Sequence, residues 1–246
     1  MVFIPKFILM NSKIKLALPL VLLSLMSLSG CGADENIPKE ECIPNPNALI
    51  DPCADYSNIL ESTGKPVIYL YPEQETKVSV QVAYQGLLTS TYPQAQNGAW
   101  EVIASPDGTL SDGNRTYDYL FWEGISPLTE TFQFTDGFVV QREEIIPFLE
   151  EKLTVLGLND SEQDDFISYW LPQMNGKGWV MVRFLKDEYE AMVKTTIVPQ
   201  PDTVIRVFMI VKEIDSPVDL PMQELTPAPE RSGFTVVEWG GSDLGE

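Results

Sequence analysis

Strict alternation over Lys77-Val78-Ser79-Val80-Gln81-Val82 puts apolar side chains on one face and polar ones on the other. This is the pattern of a half-exposed strand, which needs a sheet around it and a core beneath it. Just upstream, Lys65-Pro66-Val67-Ile68-Tyr69-Leu70-Tyr71-Pro72 sets five large or β-branched residues between prolines. That run predicts a buried strand. Further strands are expected over 87–92, 100–104 and 116–122, with turns at Pro106-Asp107-Gly108 and Asp112-Gly113-Asn114.

The period then changes. Ile145, Leu149, Leu153 and Leu156 make one helical stripe. Pro147 is tolerated only in a first turn, so this helix begins near Glu144, and Gly157 stops it. Asn159 with Glu162 three residues later forms a capping box for a second helix carrying Phe166, Ile167, Trp170 and Leu171, ended by Pro172. The pair predicts an αα-hairpin at about 144–171 through Gly157-Leu158-Asn159. Strands resume over 179–185, 192–198, 203–213 (after Pro199-Gln200-Pro201-Asp202) and 233–239, the last ended by Gly240-Gly241. Pro217, Pro221, Pro227 and Pro229 mark a surface excursion before it. The expected fold is mainly β (α+β): a β-sandwich or open barrel of about eight or nine strands with the helical hairpin inserted, a single domain over 65–246.

The N-terminal region has a different character. Lys13 and Lys15 precede an apolar run over 16–28 that contains Pro19. A span needs about 20 apolar residues, so the run suits the core of a secretory signal over 1–30, with an uncleaved signal anchor as the alternative. A second apolar patch, Val2-Phe3-Ile4 and Phe7-Ile8-Leu9, is foreign to such a leader; Met10-Asn11-Ser12-Lys13-Ile14-Lys15 is an ordinary one, which makes Met10 rather than Met1 the expected start. Leu28-Ser29-Gly30-Cys31 resembles the lipobox of a bacterial lipoprotein. The resemblance implies acyl chains on Cys31, a membrane partner reached through them, and a cell-envelope location. Gly32 in place of Asp implies the outer membrane where the cell has one. Two or three chains anchor firmly where one, at about 0.8 kcal/mol per buried methylene, does not.

Residues 31–64 read as a tether rich in charge and proline, without periodicity. With Cys31 acylated, Cys42 and Cys53 are left to pair outside the cytoplasm, closing a loop worth about 3 kcal/mol. The chain carries a net charge of −20, and the leader contributes Lys6, Lys13 and Lys15 with no acid, so the remainder is more acidic still. Such a surface repels nucleic acid and anionic headgroups.

The Lys65–Pro72 stretch, Tyr119-Leu120-Phe121-Trp122-Glu123-Gly124, Tyr169-Trp170-Leu171-Pro172 and Gly233-Phe234-Thr235-Val236-Val237-Glu238-Trp239-Gly240-Gly241 together resemble a family of uncharacterised secreted and lipoprotein domains, over nearly all of 65–241. That resemblance implies a recurring domain and carries over no catalytic residue.

No histidine is present, which excludes Ser-His-Asp and Cys-His schemes and histidine-held zinc or haem. Acid–base chemistry would fall to carboxylates, lysine or tyrosine. Glu123 beside Trp122 and Glu238 beside Trp239 are a candidate catalytic pair with stacking tryptophans, since glycoside hydrolysis needs two carboxylates about 5–9 Å apart. The competing reading makes the tryptophans core anchors and leaves the glutamates in solvent. Asp160, Glu162, Asp164 and Asp165 suit either calcium or a helix N-terminus, and lack the spacing of a calcium loop, so no metal is expected. Tyr69, Tyr71, Tyr117, Tyr119 and Trp100 form either an aromatic platform for a glycan or peptide, or core. Gly64-Lys65 is not a phosphate loop: Pro66 follows, and no glycine precedes at the required spacing. No cofactor is expected. The functional expectation is a binding or structural module of the envelope with a glycan or envelope-protein partner; the alternatives are a carbohydrate-active enzyme on Glu123 and Glu238 and an accessory subunit of an envelope assembly.

Overall fold

A computed structural model of the chain describes residues 62–125, 132–174 and 178–245. Cys31, Cys42 and Cys53, and with them the leader, the lipidation and the disulfide, lie outside the described residues. The fold is mostly β, as expected, and has two open sheets rather than a closed barrel.

Twelve strands occur among the described residues, more than the eight or nine expected. They are β1 (Ser62–Tyr71), β2 (Thr76–Tyr84), β3 (Leu87–Tyr92), β4 (Ala99–Ala104), β5 (Leu110–Ser111), β6 (Thr116–Tyr117), β7 (Leu120–Ile125), β8 (Phe138–Gln141), β9 (Trp179–Leu185), β10 (Val193–Val198), β11 (Thr203–Ile214) and β12 (Thr235–Asp243). Three α-helices join them: α1 (Ile145–Val155), α2 (Asp160–Trp170) and the short α3 (Asp187–Met192), with a 3-10 turn at Arg142–Glu144 leading into α1. The expected strand over 116–122 is broken at Asp118-Tyr119, where the chain leaves one sheet for the other. β5, β6, β8 and α3 are too short to carry a readable period.

The larger sheet runs β3-β7-β1-β12-β11-β9-β8, the smaller β10-β2-β4-β5-β6. β1 lies between β7 and β12 with both neighbours antiparallel, whereas β11 and β12 are parallel and joined by the proline-rich excursion. The larger sheet is covered on both faces. One face takes the α1–α2 hairpin, packing Leu149, Leu153, Phe166 and Trp170 on Val67, Met209, Val237 and Trp239. The other takes the smaller sheet, packing Val78, Val80, Trp100 and Val102 on Ile68, Leu120, Trp122 and Val236. This explains why Val67, Ile68, Tyr69 and Leu70 are all buried in sequence: alternate residues feed alternate cores.

The Asn159–Glu162 capping box is present at the start of α2. Gly240-Gly241, expected to end the last strand, instead continue β12. Their smallness serves contact, not a turn. A Cβ on Gly241 would sit 2.4 Å from the Met209 carbonyl and 2.5 Å from the Trp170 ring, and one on Gly240 would sit 3.0 Å from Pro66.

Candidate functional site

The two glutamates singled out by sequence do not come together. Glu238 lies on β12 facing the smaller sheet and is 2 % exposed. It accepts hydrogen bonds from Trp122 Nε1 (3.3 Å), Tyr189 Oη (2.9 Å) and Arg206 Nε (2.8 Å), and pairs with Arg206 Nη2 at 2.7 Å. The Arg206 guanidinium also donates to the Val193 carbonyl and lies 4.6 Å from the Tyr189 ring centre.

Glu123 lies on β7, two strands away, with β1 between. It alternates with the buried Trp122 and follows Phe121, which packs on the hairpin side, so it faces away from Glu238. Its charge is felt by Tyr169 of α2. A pair on opposite faces of a sheet cannot flank one glycosidic bond. Trp122 and Trp239 are both fully buried, in different cores, and offer no ring to a ligand.

The four acids at the start of α2 also separate. Glu162 is fully buried, closing the capping box on Asn159 and pairing with Arg231. Asp165 turns to β1, where its Oδ2 accepts from Tyr69 Oη at 2.8 Å. Among the described residues, no group of three or more such side chains could hold a metal ion. Of the aromatic set, Trp100 is buried between the sheets with its indole N–H on the Pro93 carbonyl, and Tyr117 pairs with Tyr92. Tyr69, Tyr71 and Tyr119 do meet, on the hairpin side of the larger sheet.

They meet beside Lys65, a residue to which no motif points. β1 bulges between Gly64 and Val67, and Lys65 sits at the bulge with φ 42°, a left-handed conformation unusual for a residue with a side chain. Gly64 leaves room for α2: a Cβ there would lie 3.0 Å from the Trp170 ring. The bulge aims the lysine at the junction of β1, β7, β12 and α2. Its Nζ lies 5.4 Å from the Tyr119 ring, 5.1 Å from Tyr169 and 5.4 Å from Trp239. Each such contact is worth about 0.5–2 kcal/mol, depending on desolvation. Burial draws the Lys65 ammonium below the usual lysine range, and the Asp165 carboxylate pulls part of the way back.

The surrounding tyrosines share one network. Tyr69 is buried, stacked on Tyr71 (6.2 Å, 3° between planes) and edge-on to Tyr119 (5.4 Å, 69°). Burial and then the Asp165 bond push its phenol well above the ordinary value. Burial raises Tyr119 and Tyr169 as well, with Asp165 adding to the first and Glu123 to the second. At the far end Tyr71 lies 5.7 Å from the Arg231 guanidinium, itself bound to Glu162. Tyr119, Tyr169, Tyr71, Lys65 and Asp165 are all partly open to solvent. The face thus offers an ammonium donor, a carboxylate acceptor, phenol groups that do both, and ring surface.

No protein-family model matches the chain, and no solved structure matches it. Over 62 residues it is 47 % identical to an "Uncharacterized protein in bglA 3'region" of Butyrivibrio fibrisolvens, a stretch covering 24 % of this chain and 65 % of that protein. The chain therefore spans slightly under two thirds of that relative's length.

Proposed function

We propose that this protein is a lipid-anchored domain of the bacterial cell envelope whose role is to bind a ligand on the face around Lys65. One observation carries the binding site. Four stretches far apart in sequence deliver Lys65, Tyr119, Tyr169 and Trp239 to one place, at the cost of a left-handed lysine and a bulged strand. Local strain of this kind persists where the surroundings over-determine it, and clusters at functional sites. The anchor rests on the leader and Leu28-Ser29-Gly30-Cys31. In this reading acyl chains on Cys31 hold the protein to the membrane, the outer one where there are two, and the 31–64 tether carries a Cys42–Cys53 disulfide. No helix among the described residues is long and apolar enough to cross a membrane.

Two experiments test the reading. Cys31→Ala should move the protein from the membrane fraction to the soluble fraction and abolish incorporation of labelled fatty acid; a variant that stays membrane-bound removes the anchor. For the site, the full chain in detergent is sedimented with insoluble wall polysaccharide from bacterial envelopes. Tyr119→Ala/Tyr169→Ala should stay in the supernatant while retaining the wild-type circular dichroism spectrum. Equal pelleting of wild type and variant removes the site.

A further inference from the structure

We infer that the Lys65 face takes an uncharged, polyhydroxylated ligand: a neutral glycan. This rests on the binding reading above and adds the chemistry of what is bound.

A quaternary or primary ammonium ligand would seek the space over Tyr119, Tyr169 and Trp239, but the protein's own Lys65 Nζ already lies 5.1–5.4 Å from all three ring centres. A polyanion fares no better. Lys65 is balanced by Asp165, whose Coulombic pull reaches it, and Glu123 acts on Tyr169 at the other side of the cluster. The whole chain carries −20, which repels an extended anionic polymer at long range. Arg231, at the Tyr71 end, is already paired with Glu162.

An apolar peptide or acyl chain is excluded on different grounds. It would strip water from the Lys65 ammonium, the Asp165 carboxylate and the phenol tips without returning hydrogen bonds, and unreturned bonds to buried polar groups are costly.

The remaining ligand class has both properties the face demands. A pyranose presents C–H surface that packs against the solvent-open parts of tyrosine rings, and hydroxyls that each donate and accept. Tyr119 and Tyr169 are partly open to solvent, Tyr169 with its phenol beside the Gln173 side chain. Lys65 is a donor held among three rings. Asp165 has Oδ2 engaged by Tyr69, and as a carboxylate it has acceptor capacity beyond that one bond. A donor, an acceptor and the solvent-open parts of two rings whose inner faces Lys65 covers, with their charges mutually compensated, match a neutral sugar.

The test is competition in the sedimentation assay. Soluble hydroxyethylcellulose, β-1,3-glucan and galactomannan are compared with polygalacturonate as competitors for pelleting of the full chain. At least one neutral polymer should displace the protein about tenfold more effectively than polygalacturonate. Raising salt to about 0.5 M should leave that displacement unchanged, because screening weakens ion pairs and not stacking. Tyr119→Phe/Tyr169→Phe, which keeps the rings and the fold, should weaken it by removing two hydroxyls. Polygalacturonate competing best, or displacement that vanishes in salt, overturns the neutral class. Pelleting that depends on Tyr119 and Tyr169 yet yields to none of these sugars also overturns it while the binding site stands. Pelleting indifferent to both tyrosines removes the site itself, and the ligand class with it.

Discussion

Replacing Glu238 by Gln should be among the most damaging isosteric changes available to this protein. The carboxylate is 2 % exposed and accepts from Trp122, Tyr189 and two nitrogens of Arg206. Gln keeps the shape but removes the charge and turns one acceptor into a donor. Whichever way the amide is oriented, its NH2 confronts either the Arg206 guanidinium or the Trp122 and Tyr189 donors. Breaking a buried ion pair by removing one partner costs about 3–5 kcal/mol. Arg206 retains some relief, because its side chain is 14 % exposed and lines a groove of about 660 Å³ between β10 and the larger sheet. The expected loss is therefore at the lower end, about 3 kcal/mol, or a fall in Tm of about 6–12 °C for a domain of this size.

The assay is urea unfolding followed by tryptophan fluorescence and far-UV circular dichroism, run on Glu238→Gln, Arg206→Met and the double variant. With both changes made, no uncompensated charge remains and the glutamine oxygen can still accept from Trp122 and Tyr189. The double variant should thus be about 2 kcal/mol better than the sum of the singles. A loss below about 1 kcal/mol for Glu238→Gln, with additive singles, would show that the pair is solvated and that its geometry does not organise the inter-sheet core.

Three further outcomes follow from the packing and the charges. Gly241→Ala forces a Cβ to within 2.4 Å of the Met209 carbonyl, and should cost about 3 kcal/mol in the same unfolding assay. Asn159→Ala, which removes the side-chain acceptor for the Glu162 N–H, should cost about 1 kcal/mol, with Asn159→Ser restoring most of it. Above pH 10 stability should fall steeply. Tyr69 and Tyr189 are held protonated by burial, so the unfolded chain releases protons that the folded one keeps, at up to about 1.4 kcal/mol per pH unit for each. Lys65, shifted downward, acts in the opposite sense just below its ordinary 10.5. Tyr69→Phe should flatten the alkaline fall, as read by unfolding at stepped pH, and an unchanged slope would place that phenol in water.

Period and punctuation were enough to read most of the architecture. Residues 77–82 alternate as their burial does, the stripe Ile145, Leu149, Leu153 is the buried face of α1, and the capping box marks α2 to the residue. What local pattern misses is partnership across strands. Trp122-Glu123 and Glu238-Trp239 look like two copies of one device, a tryptophan lining a carboxylate. The pleat forbids that reading, because neighbours in a strand face opposite ways. It sends Trp122 to Glu238 from the other pair, and sends Trp239 to the hairpin side with Lys65. The compensating cation, Arg206, is a further 32 residues off in a parallel strand, where no spacing rule connects it to Glu238. Lys65 and Asp165 were hidden for the same reason: one stood in an apparent phosphate-loop fragment, the other among capping acids, and only the bulge in β1 and the docking of α2 make them neighbours. A double glycine is likewise ambiguous, since close approach and a turn ask for the same residue, and here Trp170 against Gly241 decides for approach. The chemistry of this protein therefore resides in contacts between elements, and the residues most informative to mutate are those whose sequence neighbours say least about them.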